Sequence, residues 1–144
     1  MKKYKIGMTV GVFDLFHEGH LNLLERCKEQ CEYLIVGILS DEHVKNTKHK
    51  DTVFPQNVRH RIIDALKVVD ETVDILPHEV TDRVALCQRV PFDVLFNGSD
   101  WIGSERFAKI EKDLKEINVP IVYFPYTQGI SSTEIKDKMN KLNV

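Results

Sequence analysis

The chain has 144 residues, 42% of them apolar and 29% charged, a composition typical of a globular protein with one domain, here residues 1–144. Its net charge of −2 argues against a general affinity for nucleic acid, and its longest apolar run, 33–39, is far shorter than the roughly 18–20 residues of a membrane span. The first residues lead into a strand without a signal-peptide pattern, and the three cysteines have no paired spacing, so we expect a cytoplasmic protein with reduced thiols.

Short apolar runs alternate with stretches of helical period along the chain, which is typical of βαβ units on a parallel sheet. Strands are predicted near residues 5–10, 33–39, 72–76, 93–97 and 120–125. Each is mostly apolar on both faces, as strands are when helices cover both sides of a sheet. The pattern predicts a Rossmann-like α/β fold of three layers around a five-stranded parallel sheet.

Helical stripes of apolar residues connect the strands. Three of them are Leu21, Leu24, Cys27 and Cys31; Val58, Ile62, Leu66 and Val69; and Phe107, Ile110, Leu114 and Ile117. A short helix near 81–90 and a terminal helix from about Ser131 complete a set of five helices. We interpret the apolar stripes as core.

The stretch 42–56 is the one long segment without a predicted element, and it lies in a basic part of the chain. Between His43 and Arg61 a single acidic residue, Asp51, is accompanied by the cations Lys45, Lys48, Lys50, Arg59 and Arg61. Long irregular loops in compact domains usually carry function. We therefore predict a lid that closes over an anion, with a solvated basic loop as the plain alternative.

Polar residues follow four of the five predicted strands. Asp14, His17 and His20 follow the first strand and the basic stretch follows the second; residues 98–101 (G-S-D-W) follow the fourth and residues 127–133 (T-Q-G-I-S-S-T) follow the fifth. In such sheets ligands bind beyond the carboxyl ends of the strands, where the strand order reverses. We expect these segments to converge on one site.

The stretch G-V-F-D-L-F-H-E-G-H, residues 11–20, places two histidines at the start of the first helix. Residues three apart differ by about 60° around a helix axis, so both imidazoles face one volume over the free N–H groups and the positive dipole end. Gly19 permits close approach of the backbone. The arrangement predicts a phosphate site. Two alternatives stay open. One is zinc binding, although H-E-G-H is one residue shorter than the zinc motif H-E-x-x-H, and the other is packing of one histidine in the core.

Two motifs resemble those of a known enzyme superfamily. F-D-L-F-H-E-G-H resembles the H-x-G-H signature of the nucleotidylyltransferases, and G-I-S-S-T at 129–133 resembles the R-T-x-G-I-S-T-T motif of their cytidylyltransferase branch. The resemblance covers essentially the whole chain, with the motifs in the expected order. It implies transfer of CMP from CTP to an alcohol phosphate, with pyrophosphate as the second product, Mg²⁺ as cofactor and a homodimer as the assembly.

The resemblance also implies roles for individual residues. The expected catalytic residues are His17, His20, Lys48 and Arg59. The expected nucleotide-binding residues are Val12, Phe13, Asp14, Gly19, Lys50, Gly98, Asp100, Trp101, Thr127, Gly129, Ile130, Ser131, Ser132 and Thr133. Asp14 is in addition a candidate Mg²⁺ ligand or orienting group, whereas Asp41 is interpreted as structural. Residues 131–134 have the spacing of a capping box.

Four positions depart from the family pattern. Tyr126 stands in place of the motif arginine, Lys67 in place of an arginine of the second helix, Val12 in place of a threonine, and Glu18 between the two histidines. Glycerol 3-phosphate is the first expected acceptor, but the missing arginine fork leaves choline phosphate, ethanolamine phosphate and other polyol or sugar phosphates open. Adenylyl transfer and a nucleotide-binding regulatory module without catalysis are the more distant alternatives.

Overall fold

Five parallel strands form the sheet in the part of the chain that the computed structural model describes, residues 2–99, 102–125 and 131–142. The strands are β1 (Tyr4–Gly11), β2 (Cys31–Ile38), β3 (Glu71–Asp74), β4 (Val94–Gly98) and β5 (Ile121–Phe124). Each predicted strand is confirmed, with its ends displaced by no more than two residues.

The strand order is β3-β2-β1-β4-β5, so the chain starts in the middle of the sheet, moves outward to β3 and then crosses to the other side of β1. Met8 of β1 lies between Ile35 of β2 and Leu95 of β4. The order therefore reverses between β1 and β4. Sheets of this kind bind ligands beyond the carboxyl ends of the strands at that point.

Alternate residues of the strands enter two separate cores, one on each face of the sheet. Leu34 and Val36 of β2 belong to one core, and Ile35 between them belongs to the other. All three are at most 3% exposed. This alternation confirms the predicted arrangement of a sheet between two helical layers.

Six α-helices lie within the described residues. They are α1 (Glu18–Gln30), α2 (Asp41–Lys48), α3 (Gln56–Asp64), α4 (Arg83–Arg89), α5 (Glu105–Lys115) and α6 (Ser132–Leu142), and a 3₁₀ turn spans Pro77–Val80. Leu24 of α1 and Ile63 of α3 belong to one core, whereas Leu86 of α4 and Ile110 of α5 belong to the other. Helices α1 and α3 therefore cover the face opposite to α4 and α5.

The prediction that 42–56 is irregular is wrong, because α2 occupies its first half. Ser40 caps this helix by accepting a hydrogen bond from the backbone N–H of His43 (3.0 Å), and Val44 is buried. A single buried apolar residue does not form a helical stripe, so the apolar periodicity gave no sign of this helix. Its N-cap serine and its acidic first turn did indicate a helix start. Helix α3 ends earlier than its apolar stripe, at Asp64, and Leu66 lies in the turns that follow.

None of the helices in the described ranges combines the length and the apolar character that crossing a membrane requires. Cys27 of α1 and Cys31, the first residue of β2, are buried free thiols, and burial raises the pKa of both. The Cys31 thiol donates a hydrogen bond to the Cys27 carbonyl (3.3 Å). Both groups are neutral parts of the core near neutral pH.

Candidate active site

The loop after β1 folds tightly around Asp14. Phe13 and Leu15, on either side of it, have φ angles of 53° and 50°, a left-handed conformation that such residues rarely adopt. The buried Phe13 ring packs against Gly11, where an added Cβ would lie 2.8 Å from it. Each strained residue costs about 1–3 kcal/mol, so the surrounding contacts must hold the loop in place.

His17 and His20 lie at the start of α1, as predicted. His17 is the N-cap residue, and its Nδ1 accepts a hydrogen bond from the backbone N–H of Gly19 (3.0 Å). His20 Nδ1 accepts in turn from the backbone N–H of His17 (3.3 Å). A ring nitrogen that accepts carries the lone pair, so the proton of each neutral ring is on Nε2. Each histidine therefore presents an Nε2–H donor, while its other nitrogen fixes the ring orientation.

The environment of the two rings keeps them neutral. They stack with their centroids 3.8 Å apart, and Phe13 and Phe16 each place a ring 5.4 Å from that of His20. Burial lowers the pKa of His17. Burial, reinforced by the charge of His17 and opposed by Asp14, lowers the pKa of His20 to about 4. At neutral pH both rings are therefore uncharged and can donate hydrogen bonds.

Asp14 holds several segments of the chain together. Its Oδ2 accepts from the backbone N–H of Val53 (2.7 Å), and its Oδ1 accepts from those of Phe54 (2.9 Å) and Leu15 (3.1 Å). Lys136 Nζ lies 3.8 Å from Oδ2. Backbone N–H donors on both oxygens of this buried carboxylate fit the orienting role that was the alternative for Asp14, while Mg²⁺ binding by Asp14 stays a prediction. Among the residues described, no group of three or more His, Cys, Asp or Glu is placed to hold a metal ion.

The start of α6 lies against the same loop. Ser132 Oγ donates to the backbone carbonyl of Asp14 (2.5 Å), and Ser131 Oγ accepts from the backbone N–H of Glu134 (3.0 Å) as the cap of the helix. The opening and closing parts of the chain therefore meet, as predicted, and bring two helix N-termini together. Ser132 uses its hydroxyl proton on the Asp14 carbonyl and so positions the helix, while its contact with the nucleotide stays a prediction.

The basic segment is anchored at both ends and exposed between them. Thr52 Oγ1 donates to Asp41 Oδ1 (2.9 Å), and the two residues that follow Thr52 bind Asp14 through their backbone, as described above. Helix α2 forms the other end. Lys48 and Lys50 are exposed. The structure thus carries both predicted lysines on a short bridge next to the histidine loop.

Arg59 is a structural residue, which corrects the prediction of a phosphate ligand. Its side chain is 0% exposed. Nε donates to the carbonyl of Phe54 (2.9 Å), Nη1 donates to those of Val12 and Leu39 (2.8 Å each), and Nη2 donates to Asp41 Oδ1 (2.6 Å). These bonds tie the histidine loop, the end of β2 and the basic segment to α3. Asp41, interpreted as structural, is confirmed in that role.

The other predicted nucleotide-binding residues occupy varied positions. Val12 and Gly19 take part through backbone groups, by accepting from Arg59 and donating to His17. Gly98 is buried at the end of β4, and Thr133 is exposed in the first turn of α6. The predicted residues outside the described ranges are Asp100, Trp101, Thr127, Gly129 and Ile130.

Two residues of the site were not predicted. Phe16 lies against the His20 ring, and Lys136 approaches the Asp14 carboxylate. The sequence does contain a signal for Lys136, because it stands four positions after Ser132 and so shares a face of α6 with it. Phe16 has no such signal, since an aromatic residue before a helix start is equally consistent with core packing.

The sheet order reverses between β1 and β4, and two imidazole donors and two helix starts lie beyond the strand ends. This is the architecture of an α/β protein that binds nucleotide phosphates. The chain belongs to the cytidylyltransferase-like family, whose model matches residues 8–138. The family that the two motifs indicated is thereby confirmed.

Named relatives cover nearly the whole chain. The glycerol-3-phosphate cytidylyltransferase of Bacillus spizizenii is 34% identical over 140 residues, which are 94% of this chain and 97% of that protein. The enzyme of the same name from Bacillus subtilis is 34% identical over 132 residues, 92% of this chain and 95% of that protein. The FAD synthase of Thermococcus kodakarensis is 33% identical over 132 residues, 87% of this chain and 83% of that protein.

Solved structures share the fold. A lipopolysaccharide core biosynthesis protein of Thermoplasma volcanium superposes with a TM-score of 0.70 at 25% identity, covering 86% of this chain and 97% of that one. The pantoate-beta-alanine ligase of Francisella tularensis superposes with a TM-score of 0.59 at 16% identity, covering 100% of this chain and 72% of that one. The second likeness concerns the fold alone.

Proposed function

We propose that the protein transfers CMP from CTP to glycerol 3-phosphate and produces CDP-glycerol and pyrophosphate. The family assignment and the glycerol-3-phosphate cytidylyltransferases that are 34% identical over more than nine-tenths of the chain support this reaction. The observation that carries it in the structure is the pair of oriented Nε2–H donors at the start of α1, next to the start of α6. Directed donors and two positive helix ends suit a polyphosphate.

In the proposed reaction an oxygen of the acceptor phosphate attacks the α-phosphorus of CTP. The bond from that phosphorus to the oxygen bridging to the β-phosphate breaks, and its electrons leave with pyrophosphate. A phosphate monoester is largely ionised near neutral pH, so no protein base has to remove a proton. The protein has to hold two anions in line and stabilise the charge that develops on the leaving group.

His17 and His20 are assigned to this stabilisation. As neutral rings they donate hydrogen bonds from Nε2 without giving up a proton, and partial burial strengthens such bonds. Lys48 and Lys50 add positive charge from the exposed bridge, where their flexible stems can follow the phosphates. Nucleotide contacts stay predictions for the remaining residues, which are Val12, Phe13, Asp14, Gly19, Gly98, Asp100, Trp101, Thr127, Gly129, Ile130, Ser131, Ser132 and Thr133.

Mg²⁺ and the homodimer also stay proposals. Mg²⁺ usually keeps several waters and binds through one or two carboxylates plus substrate phosphates. Asp14 would be its ligand through the lone pairs that the backbone N–H groups leave open on its oxygens, and no step of the reaction is assigned to the ion. Loss of activity in EDTA and its return with added Mg²⁺ test the metal, and sedimentation equilibrium tests the dimer.

Adenylyl transfer is the second candidate, because an FAD synthase is 33% identical over 132 residues. The G-I-S-S-T stretch favours CTP over ATP by its resemblance to the cytidylyltransferase motif. Among acceptors, choline phosphate, ethanolamine phosphate and other polyol phosphates compete with glycerol 3-phosphate. A nucleotide-binding module without catalysis would bind CTP and release no pyrophosphate.

A pyrophosphate-release assay with CTP or ATP against these alcohol phosphates, in the presence of Mg²⁺, tests the proposal. We expect the fastest release from CTP with glycerol 3-phosphate, together with CDP-glycerol detected by mass spectrometry. The variant His20→Asn, which keeps an acceptor at the position of Nδ1 but lacks the Nε2–H donor, gives the rate of release without that donor. Faster release with ATP would contradict the assignment of CTP as the nucleotide. Faster release with another alcohol phosphate would contradict glycerol 3-phosphate as the acceptor, and no release with any pair would contradict an enzymatic function.

A further inference from the structure

Lys136, one turn after Ser132 in α6, is the charged partner of the buried Asp14 carboxylate. Its Nζ lies 3.8 Å from Oδ2, a distance that suits an ion pair and is longer than a hydrogen bond. The side chain of Asp14 is 7% exposed, whereas that of Lys136 is 28% exposed. The ammonium therefore contacts both the buried carboxylate and solvent. In the described part of the chain no other cationic side chain pairs with this carboxylate.

The charge of Asp14 lies where the proposed site has to accept a polyanion. The backbone N–H groups on its oxygens are uncharged, so they stabilise the carboxylate without cancelling its charge. The two imidazoles of the loop are uncharged at neutral pH as well. Arg59 is 0% exposed and donates to Asp41, so its charge is already paired. Without Lys136, the Asp14 carboxylate would repel phosphates from the packed part of the site.

Lys136 also helps to attach α6 to the rest of the chain. Within residues 131–142, the partly buried side chains are those of Ser131, Ser132, Ile135 and Lys136, and every residue from 137 onward is exposed. Ser132 and Lys136 stand four positions apart and so share one face of the helix. Both contact Asp14, the first at its backbone carbonyl and the second at its carboxylate. A helix of 11 residues with so little packing is marginally stable by itself, so its position depends on these polar contacts.

We propose that Lys136 is a positioning residue for polyphosphate binding, which balances the charge of Asp14 and holds the start of α6 beside the histidine loop. Asp14 also accepts from Val53 and Phe54, directly after the basic segment, so one ion pair connects α6, the loop and that segment. The identity of the nucleotide rests on the proposed function, whereas the role of Lys136 rests on these contacts.

The role of Lys136 should depend on the number of phosphates in the ligand. A chain of phosphates carries several charges and spans both helix starts, whereas a single phosphate carries fewer charges and needs one helix start. Loss of the ammonium therefore weakens binding of polyphosphates and affects a nucleoside monophosphate much less. A purely structural lysine would not distinguish between these ligands.

Calorimetric titrations of the full chain with inorganic tripolyphosphate, CTP and CMP, in EDTA to remove divalent cations, test this role. Methionine keeps the apolar stem of lysine without the charge. We expect Lys136→Met to raise the Kd for tripolyphosphate and for CTP at least about five-fold, and that for CMP by less than about two-fold. Lys136→Arg keeps a cation and should bind CTP within about two-fold of wild type. Lys138→Met, at an exposed position of the same helix, is the matched control and leaves all three constants within about two-fold.

A double-mutant cycle shows whether Lys136 acts through Asp14. Asp14→Asn removes the charge that the lysine balances, so adding Lys136→Met to it should change the Kd for tripolyphosphate by less than about two-fold. A loss that persists in the Asp14→Asn background would contradict the positioning role. The urea midpoint of Lys136→Met should stay close to wild type, because a partly exposed ion pair adds little stability. A lower midpoint with equal losses for CMP and CTP would show a structural role alone and would also contradict the proposal.

The binding measurements separate this inference from the proposed function, because tripolyphosphate has neither a base nor an acceptor. Tripolyphosphate binding that depends on Lys136, in a protein that releases no pyrophosphate, supports the positioning role and contradicts the proposed reaction. Formation of CDP-glycerol together with an unchanged Kd for tripolyphosphate in Lys136→Met contradicts the positioning role and leaves the proposed reaction intact. Absence of tripolyphosphate binding to the wild type also contradicts the positioning role.

Discussion

The histidine loop (residues 11–20) and the basic segment (residues 45–51) adjoin each other but are built in opposite ways. In the loop the Asp14 carboxylate and both imidazole Nδ1 atoms have hydrogen-bond partners, and two residues are held at positive φ. In the segment Lys45, Lys48 and Lys50 are exposed. Fixed donors stabilise charge at one position, whereas exposed lysines raise the local potential and can follow a ligand. The difference indicates which contacts depend on precise placement.

Replacing the fixed donors of the histidine loop should have the largest effect on activity. Asparagine at residue 17 or 20 keeps an acceptor near the position of Nδ1 and lacks the Nε2–H. We expect His17→Asn and His20→Asn to lower kcat about 10²–10³-fold, the usual effect of losing one well-placed donor. At pH 8 urea unfolding should stay close to wild type in both, because asparagine is a good N-cap residue at position 17 and keeps an acceptor for the His17 N–H at position 20.

The complementary variant His17→Gln sharpens this result. Glutamine places its amide near the position of Nε2 but loses the acceptor that caps α1, so we expect it to lose about 1 kcal/mol of stability while keeping more activity than asparagine. Steady-state rates and urea midpoints of the two variants measure both effects. Wild-type turnover in His17→Asn would contradict the role assigned to Nε2.

Removing Arg59, which holds the histidine loop in place, should have the next largest effect, a loss of stability. Arg59→Met removes the donor of three backbone carbonyls and one of the donors of the half-exposed Asp41 carboxylate, and leaving such acceptors unsatisfied costs about 3 kcal/mol. Urea unfolding measures the loss. Arg61→Met, at an exposed position of the same helix, is the control, with an expected change under about 0.5 kcal/mol. Unchanged stability with reduced activity would instead restore Arg59 as a phosphate ligand.

Arg59 also shows where prediction from the sequence stops. Its position after a basic stretch indicates a phosphate ligand, and the sequence carries no sign that the side chain is buried. Burial arises because Val12, Leu39 and Phe54, which belong to three separate segments, direct their carbonyls to one point. Such convergence depends on tertiary packing, which local pattern does not encode.

The strands and the two histidines could be predicted because their signals are local. Apolar runs mark the strands, and the H-E-G-H spacing marks one helix start. The role of Asp14 could not be predicted in this way, because a carboxylate after a strand fits a metal ligand and an acceptor of backbone N–H groups equally well. Only the folded chain shows that backbone N–H groups from residues 53 and 54 occupy its oxygens.

Asp14→Asn tests whether this carboxylate orients the loop or binds Mg²⁺. Asparagine keeps one acceptor and turns an N–H group toward backbone donors, so we expect a loss of about 2 kcal/mol and a lower kcat through displacement of the loop. The concentration of Mg²⁺ needed for half-maximal rate should not change. Asp51→Asn, at an exposed carboxylate, is the control. A higher Mg²⁺ requirement at unchanged stability would contradict the assignment.

His20 should make stability depend on pH. Its pKa falls from 6.5 to about 4 in the folded protein, so between these values the unfolded chain binds a proton that the folded chain does not. This contribution is complete above pH 6.5 and is lost as the pH falls toward 4, by about 2 kcal/mol at pH 5. The difference between wild type and His20→Asn in urea unfolding, measured at pH 8 and pH 5, isolates the effect. A difference that is independent of pH would show that the folded ring titrates normally.

The exposed segment should give the smallest effect. Lys50→Gln removes a point charge without disturbing a packed group, so we expect a rise in the KM for CTP of no more than about ten-fold, with unfolding unchanged. Because the contribution is largely electrostatic, it should shrink as salt increases from about 0.05 to 0.5 M, where the Debye length falls severalfold. Lys45→Gln, in the middle of α2, provides the comparison for general charge loss. An equal effect of both variants would mean that the segment acts only through its net charge, whereas a larger effect at Lys50 places that side chain next to the nucleotide.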